Sequence, residues 1–127
     1  MDQDKKNKIA ESWIRLHNSK QDSTEYENEF WSFETIDELI HQEPNDALEV
    51  ILAIAELCNN EKILANLGAG PIEDLMLYFG PEFIDRVEVE AKKNLKFKRA
   101  LKSVWLDPEE TSVWQRLNKI TKNEPPL

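Results

Sequence analysis

The sequence predicts an all-α protein, a single compact domain of about seven or eight short helices packed as antiparallel pairs. Apolar residues recur at intervals of three and four along most of the chain, which is the spacing of one helix face. Only three glycines occur in 127 residues, and no Asn-Gly or Asp-Gly pair is present to close a β-hairpin. We expect an irregular bundle or a short α-solenoid over residues 1–122, followed by a flexible tail over 123–127.

The first two helices are predicted by their apolar stripes. One is expected over residues 4–18, with Trp13 on its buried face. The polar stretch that follows predicts a loop, in which either Ser23 or Thr24 can cap the next helix through its side-chain oxygen. This second helix is expected over residues 25–41, with Phe33 facing inward and its acidic residues facing outward.

Prolines and glycines predict the next helix boundaries. Pro44 is well placed to open a third helix, which is apolar almost all round and therefore belongs in the middle of the fold. A short fourth helix is expected to stop at Gly68. The pairs Gly70-Pro71 and Gly80-Pro81 are each expected to end one helix and to begin another.

Three further helices are expected in the C-terminal part. Val87 belongs to the inward face of the sixth helix, and Phe97 and Trp105 belong to the inward face of the seventh. The eighth helix has the strongest start signal in the chain. Asp107 can cap it, Pro108 lies in its first turn, and Glu110 completes a capping box.

Charge is segregated along the chain, whose formal net charge is −9. Residues 21–61 carry twelve acidic side chains and no Lys or Arg, whereas residues 92–102 carry only basic charges. The negative net charge argues against a nucleic-acid or anionic-membrane partner, because such partners bind basic surfaces. An acidic surface favours steered association with a basic protein. The plainer interpretation is that the acids form the solvated faces of two helices. The basic segment then either neutralises part of them or forms a separate anion-binding patch.

The predicted partner-binding residues combine acids with an aromatic side chain. They are Glu27, Trp31, Glu34, Asp37, Glu38, His41, Glu73 and Asp74. Trp31 and Trp114 lie off their apolar stripes and are expected to be partly exposed, as anchors of an interface often are. Trp13 and Trp105 lie on apolar stripes and are expected in the core.

Residues with catalytic or metal-binding chemistry are sparse. Glu38 and His41 form an E-x-x-H motif, and Glu34 lies on the same face, but a di-iron bundle needs a second such motif that this sequence lacks. His41 could act as a general base, although no nucleophile is evident. Cys58 is expected to be a packed, inert thiol, and residues 68–75 lack the lysine of a phosphate loop. We therefore predict no catalytic residue, no metal site and no cofactor.

Three segments resemble a known family. They are Ile63–Met76 (ILANLGAGPIEDLM), Gly80–Glu88 (GPEFIDRVE) and Val104-Trp105. In these segments, and around Phe30-Trp31 and Ile36–Ile40, the chain is similar to a bacterial all-helical domain family of unknown function. The members of that family carry runs such as LANLAAGPLEDLL, FID-VE and a closing VW. The resemblance implies a helical bacterial domain and implies no activity.

Three functional hypotheses follow from the sequence. The first is a non-enzymatic, acidic protein-interaction domain, in concrete form an immunity-type or antitoxin-like inhibitor of a basic effector. The second is a helical adaptor that binds a protein or peptide in a groove between helices, which exposed Trp31 and Tyr78 would favour. The third is a metal-dependent or acid/base enzyme, which needs Glu34, Glu38 and His41 in one cleft. No apolar stretch suits a membrane span or signal peptide, so a cytoplasmic location is expected, and the oligomeric state is left open.

Overall fold

The protein is built from α-helices and short turns. The computed structural model describes residues 1–106 and 112–122, and contains no strand among them. The predicted all-α class is therefore confirmed. The helices are α1 Gln3–Asn18, α2 Thr24–Glu29, α3 Trp31–Gln42, α4 Pro44–Leu57, α5 Glu61–Leu67, α6 Glu73–Lys93, α7 Leu95–Ala100 and α8 Ser112–Thr121. A π-helical turn, Gly68–Ile72, joins α5 to α6, and a 3-10 turn, Leu101–Ser103, follows α7.

Side-chain caps fix where several helices begin. Of the two predicted caps of the second helix, Ser23 is the one that caps α2: its hydroxyl accepts a hydrogen bond from the backbone N–H of Tyr26. Asp2, Asn60 and Asn94 cap α1, α5 and α7 in the same way, each through a side-chain oxygen that accepts a first-turn N–H. The predicted capping group of the last helix (107–110) and the predicted tail (123–127) lie outside the described residues.

Helix α4 lies at the centre of the bundle. It contacts α1, α3, α5, α6 and α7, and its side chains are buried on most sides, as its nearly uninterrupted apolar sequence predicts. One continuous cluster of buried apolar residues runs from Ile9 on α1 to Leu117 on α8. Because α1 packs mainly on α4 across the intervening helices, the arrangement is an irregular bundle. None of the helices in the described ranges has the length and apolarity needed to cross a membrane.

The predicted second helix is in fact two helices, α2 and α3. The backbone N–H of Phe33 bonds to the carbonyl of Phe30 at 3.0 Å, one residue short of the α-helical pattern. The carbonyl of Glu29 accepts instead from the hydroxyls of Ser12 and Ser32, at 3.3 and 2.8 Å. Because of this break, the side chains of α3 point in directions that differ from those expected for one continuous helix. Phe33 is 48% exposed, whereas the sequence predicted an inward position.

Two predicted helix boundaries are in place but take a different form for reasons of packing. The α-helix α5 ends before Gly68, as predicted, but the backbone stays helical through the π-helical turn into α6. A Cβ at Gly68 would lie 1.9 Å from the carbonyl oxygen of Ala100, so this glycine allows α7 to approach closely. At Gly80-Pro81 two helical segments meet at a kink, which the non-helical backbone of Phe79 marks, and together they form α6.

The seventh predicted helix is shorter than expected. It ends in the 3-10 turn Leu101–Ser103, after which the backbone of Val104 is extended. Trp105 consequently leaves the core and is 73% exposed, which contradicts its predicted inward position. Phe97 is buried as predicted, and Leu101 is buried beside it.

Candidate protein-binding face

One surface of the bundle combines exposed aromatic rings with acidic side chains. It is formed by α2, α3 and the first turns of α6. We call it the acidic-aromatic face, and define it by Glu27, Phe30, Trp31, Phe33, Glu34, Asp37, Glu38, His41, Asp74 and Tyr78. All ten side chains are exposed except Asp74, which is half-buried.

The aromatic part of this face begins on α2. The rings of Tyr26 and Phe30 lie 5.8 Å apart, and those of Phe30 and Phe33 stack at 5.3 Å between centroids. Trp31 is 44% exposed, as the sequence predicted. Aromatic side chains left open to water in this way are unusual on a surface that does not bind a partner.

The face continues across the junction of α3 and α6. The ring of His41 lies 4.7 Å from that of Tyr78, which is 60% exposed. The Nδ1 atom of His41 lies 2.9 Å from the backbone oxygen of Asp37, and since a carbonyl can only accept, Nδ1 carries the proton and donates. This bond fixes the ring against its own helix and directs Nε2 away from it.

A small cavity lies beneath the junction, with a volume of about 40 Å³. Its lining comes from α1, α3, the π-helical turn and α6, and consists of Trp13, Phe33, Ile36, Asp37, Ile40, Gly70, Pro71 and Asp74. Asp37 and Asp74 thus meet at one opening although they lie far apart in sequence. Burial raises the pKa of Asp74, the negative charges of Asp37 and Glu73 raise it further, and His41 opposes the shift.

The acids of residues 21–61 differ in whether the fold pairs them with a cation. Three of them are compensated by cations from elsewhere in the fold: Glu29 by Arg15, Glu49 by Arg86 and Lys6, and Glu61 by Arg99. Lys96 of the basic segment also donates to the backbone oxygen of Glu56 at 3.2 Å. The basic segment therefore neutralises part of the acidic run, a question that the sequence left open.

Four of the remaining nine acids lie on the acidic-aromatic face and are uncompensated. Glu27, Glu34, Asp37 and Glu38 are exposed and form no ion pair with any residue that the structure describes. Glu34 and Glu38 are four residues apart on α3, so their carboxylates lie one turn apart on the same side. Like charges at that spacing repel, and a bound cation would relieve the repulsion.

The predicted site residues are brought together only in part. Asp37, His41 and Asp74 meet at the junction, and Trp31, Glu34 and Glu38 lie on the exposed side of α3. Glu73 has another role, because its Oε1 accepts the backbone N–H of Trp105 at 2.7 Å and so anchors the segment after α7. Trp114, predicted to be partly exposed, is half-buried against the core.

The sequence missed part of the aromatic surface. Phe30 and Phe33 are exposed because the helix breaks after Glu29, and one continuous helix was predicted there. The signal for the break is Ser32, a residue whose hydroxyl competes for backbone carbonyls.

Metal-binding groups do not converge anywhere in the described ranges. No three His, Cys, Asp or Glu side chains within 1–106 and 112–122 are placed to hold one ion. Cys58 is buried, as predicted, and its thiol donates to the backbone oxygen of Asn60 at 3.3 Å.

The comparison with protein families bears on the same region. The model of a family of unknown function, DUF6869, matches residues 19–124. The chain belongs to this family. The DUF6869 match contains the whole acidic-aromatic face and the π-helical turn, whereas all of α1 precedes it. Membership of a family of unknown function is thus confirmed, and the bacterial origin stays a prediction. Neither a curated protein nor a solved structure matches the chain.

Proposed function

We propose that this DUF6869 protein is a non-enzymatic interaction domain that binds a basic partner protein through the acidic-aromatic face. In concrete form it is an inhibitor of the immunity or antitoxin type, which binds and covers a basic effector. The observation that carries the proposal is that uncompensated acids and exposed aromatic rings share one surface. Three other acids of the same sequence run, Glu29, Glu49 and Glu61, are paired within the fold.

Each half of this surface has a distinct role in binding. The carboxylates of Glu34, Asp37 and Glu38 produce a negative field that steers a basic partner and speeds association. The rings of Trp31, Phe33 and Tyr78 are of the type that forms the energetic centre of protein interfaces, because large flat side chains bury much apolar area with little loss of conformational freedom. The acids therefore set which partner approaches, and the rings hold it.

The inhibitor form of the proposal rests on charge. Effectors that act on nucleic acids carry basic surfaces, and an acidic protein that covers such a surface competes with the negatively charged substrate. A net charge of −9 suits this competition. A cytoplasmic location, where such an inhibitor protects its own cell, is part of the same proposal.

The adaptor hypothesis is the second candidate, and one observation favours it. Trp31 and Tyr78 are both exposed, which is the feature that recognition of an apolar peptide needs. Binding of that kind depends on apolar contact and therefore responds weakly to salt. Salt dependence separates the two candidates.

The test is affinity capture from the cells that produce the protein, followed by measurement of the dissociation constant with each purified partner at low and moderate salt. The first variant changes Glu34, Asp37 and Glu38 to Lys. The matched control changes Asp4, Glu11 and Glu56 to Lys, three exposed acids off the face, and alters net charge equally. A second variant changes Trp31 and Tyr78 to Ser.

The inhibitor proposal requires one basic partner that the wild type and the control retain and that the charge-reversal variant loses. Added salt must weaken the complex. Binding that survives charge reversal and salt but is lost when Trp31 and Tyr78 are changed supports the adaptor instead. If the control variant loses the partner as well, only net charge matters and the acidic-aromatic face is not a specific site.

A further inference from the structure

A second concave site lies where α6, α7 and α8 meet, on a surface that carries basic instead of acidic side chains. The cavity has a volume of about 430 Å³, within the range of roughly 300–1,000 Å³ that small-molecule sites occupy. We call it the lysine pocket. Its lining residues are Glu88, Ala91, Lys92, Lys93, Leu95, Lys98 and Ile120.

The floor and one wall of the lysine pocket are apolar. Ala91 is buried, Ile120 is half-buried, and Leu95 at the mouth is 64% exposed. These side chains come from three different helices, so they enclose a concave surface instead of a flat stripe. An apolar group seated there would remove the exposed face of Leu95 from water, at roughly 25 cal/mol per Å².

The rim of the pocket is positive. Lys92 and Lys93 are exposed, and neither forms an ion pair with a described residue. The single acid in the lining, Glu88, is paired with Arg116 of α8, which also bonds Asp85 at 2.5 Å. Glu88 therefore does not cancel the charge of the lysines, and the pocket is cationic on a protein whose net charge is −9.

A purely structural account explains only part of this arrangement. Lysines in the last turn of α6 complement the negative end of the helix dipole, which gives Lys92 and Lys93 a reason to be there. It does not explain why Leu95 is exposed directly beside them or why the three helices leave a cavity between them. A ligand with an anionic head and an apolar body accounts for all three features.

We propose that the lysine pocket binds a small amphipathic organic anion, a carboxylate with a short hydrocarbon chain. The carboxylate lies between the ammonium groups of Lys92 and Lys93, and the chain lies on Ala91, Leu95 and Ile120. The volume and concavity favour a small molecule over a protein segment. This site is separate from the acidic-aromatic face, and the proposal does not depend on what that face binds.

The test is an NMR titration of the ¹⁵N-labelled protein with decanoate below its critical micelle concentration, beside the neutral analogue decanol. We expect decanoate to shift the amide signals of residues 91–98 and 120 in a saturable way. We expect decanol to bind about tenfold more weakly or worse, because it lacks the charge that pairs with the lysines. Equal binding of the two compounds would overturn the proposal.

Variants localise the site and separate charge from fold. Lys92→Gln with Lys93→Gln should weaken decanoate binding about tenfold or more, and Leu95→Ser should weaken decanoate and decanol alike. The control, Lys20→Gln with Lys62→Gln, removes the same charge at exposed positions outside the pocket and should bind as the wild type does. The charge-reversal variant of the acidic-aromatic face should also bind normally.

Two further results would also contradict the proposal. If both lysine double variants lose affinity equally, decanoate responds only to net charge. If decanoate leaves residues 91–98 unshifted while a peptide of alternating Asp and Leu shifts them, the cavity docks a protein segment and not a small anion.

Discussion

The ring of His41 on α3 lies 4.7 Å from the ring of Tyr78 on α6. This contact joins two helices that are separated in sequence by α4 and α5, and it closes the acidic-aromatic face at one end. Beside it, Asp37 and Asp74 line the same small cavity. Two carboxylates held this close, one of them half-buried, store repulsion that a cationic side chain of a partner can relieve.

Because of this repulsion, we expect substitution of Asp74 to change the free energy of unfolding. Its pKa in the folded protein is raised above the ordinary value of 3.8, mainly by burial and then by Asp37 and Glu73. The folded state therefore holds this proton more tightly than the unfolded chain, so ionised Asp74 lowers stability above its folded pKa. The loss disappears as pH falls through that pKa towards 3.8. Asp74→Asn should raise the free energy of unfolding at neutral pH, measured by urea denaturation, and the gain should shrink in acid.

The same variant should bind the basic partner less tightly, because the charge that destabilises the fold contributes to binding. A variant that is both less stable and weaker in binding would mean that Asp74 has a structural role. The cause of the shift is checked separately by NMR titration of Asp74. Asp37→Asn should lower its pKa, whereas His41→Gln should raise it.

The two glycines of the π-helical turn, Gly68 and Gly70, are expected to differ in how substitution by alanine changes the stability of the protein. A Cβ at Gly68 would lie 1.9 Å from the Ala100 carbonyl oxygen, so Gly68→Ala must displace the backbone and should cost about 1–3 kcal/mol. A Cβ at Gly70 would meet nothing within 4 Å, and no glycine has a positive φ. Gly70→Ala should therefore be neutral or stabilise by up to about 1 kcal/mol, through helix propensity. Thermal unfolding of the two variants checks both expectations. Equal effects of Gly68→Ala and Gly70→Ala would refute the conclusion that only Gly68 is in close contact with α7.

The same residues show what the sequence could and could not predict. Periodicity correctly predicted the all-α class, the buried face of α1 and the central position of α4, because each depends on residues close together in the chain. The role of Gly68 depends on distant Ala100, and the break after Glu29 depends on distant Ser12 as well as on Ser32, which is its one local sign. Phe33 was misplaced for this reason.

The candidate site was predictable to a similar degree. The acids of α3 and the exposure of Trp31 follow from the helix pattern. The meeting of Asp37 with Asp74, and the division of the acids into paired and unpaired groups, depend on how distant helices pack. Only the three-dimensional arrangement could provide them.

The ion pair between Arg15 and Glu29 predicts sensitivity to acid. The guanidinium of Arg15, at 3.1 Å, holds the pKa of Glu29 below its usual 4.5. A depressed folded pKa adds stability that is fully present above the usual value and is lost as pH falls through the folded one. Arg15→Gln should lower stability at neutral pH and leave it nearly unchanged at a pH where Glu29 is protonated. A loss of equal size at both pH values would show that Arg15 acts through packing.

The final prediction concerns Trp105, whose sequence pattern and structural position disagree. Since its side chain is exposed, Trp105→Ala should change the free energy of unfolding by no more than about 0.5 kcal/mol. Trp13→Ala, in the buried core, should cost about 3–5 kcal/mol. What holds the Trp105 segment is its backbone N–H, which donates to Glu73.

Glu73→Ala should therefore destabilise by about 1 kcal/mol, because the N–H loses its partner. Glu73→Gln keeps an acceptor at the same place and should be close to the wild type. Denaturant unfolding of all four variants tests whether the side chain of Trp105 is exposed or buried. A cost for Trp105→Ala near that of Trp13→Ala would place Trp105 in the core. A small cost for Trp105→Ala with a measurable one for Glu73→Ala would establish that the backbone, and not the ring, fixes this segment against α6.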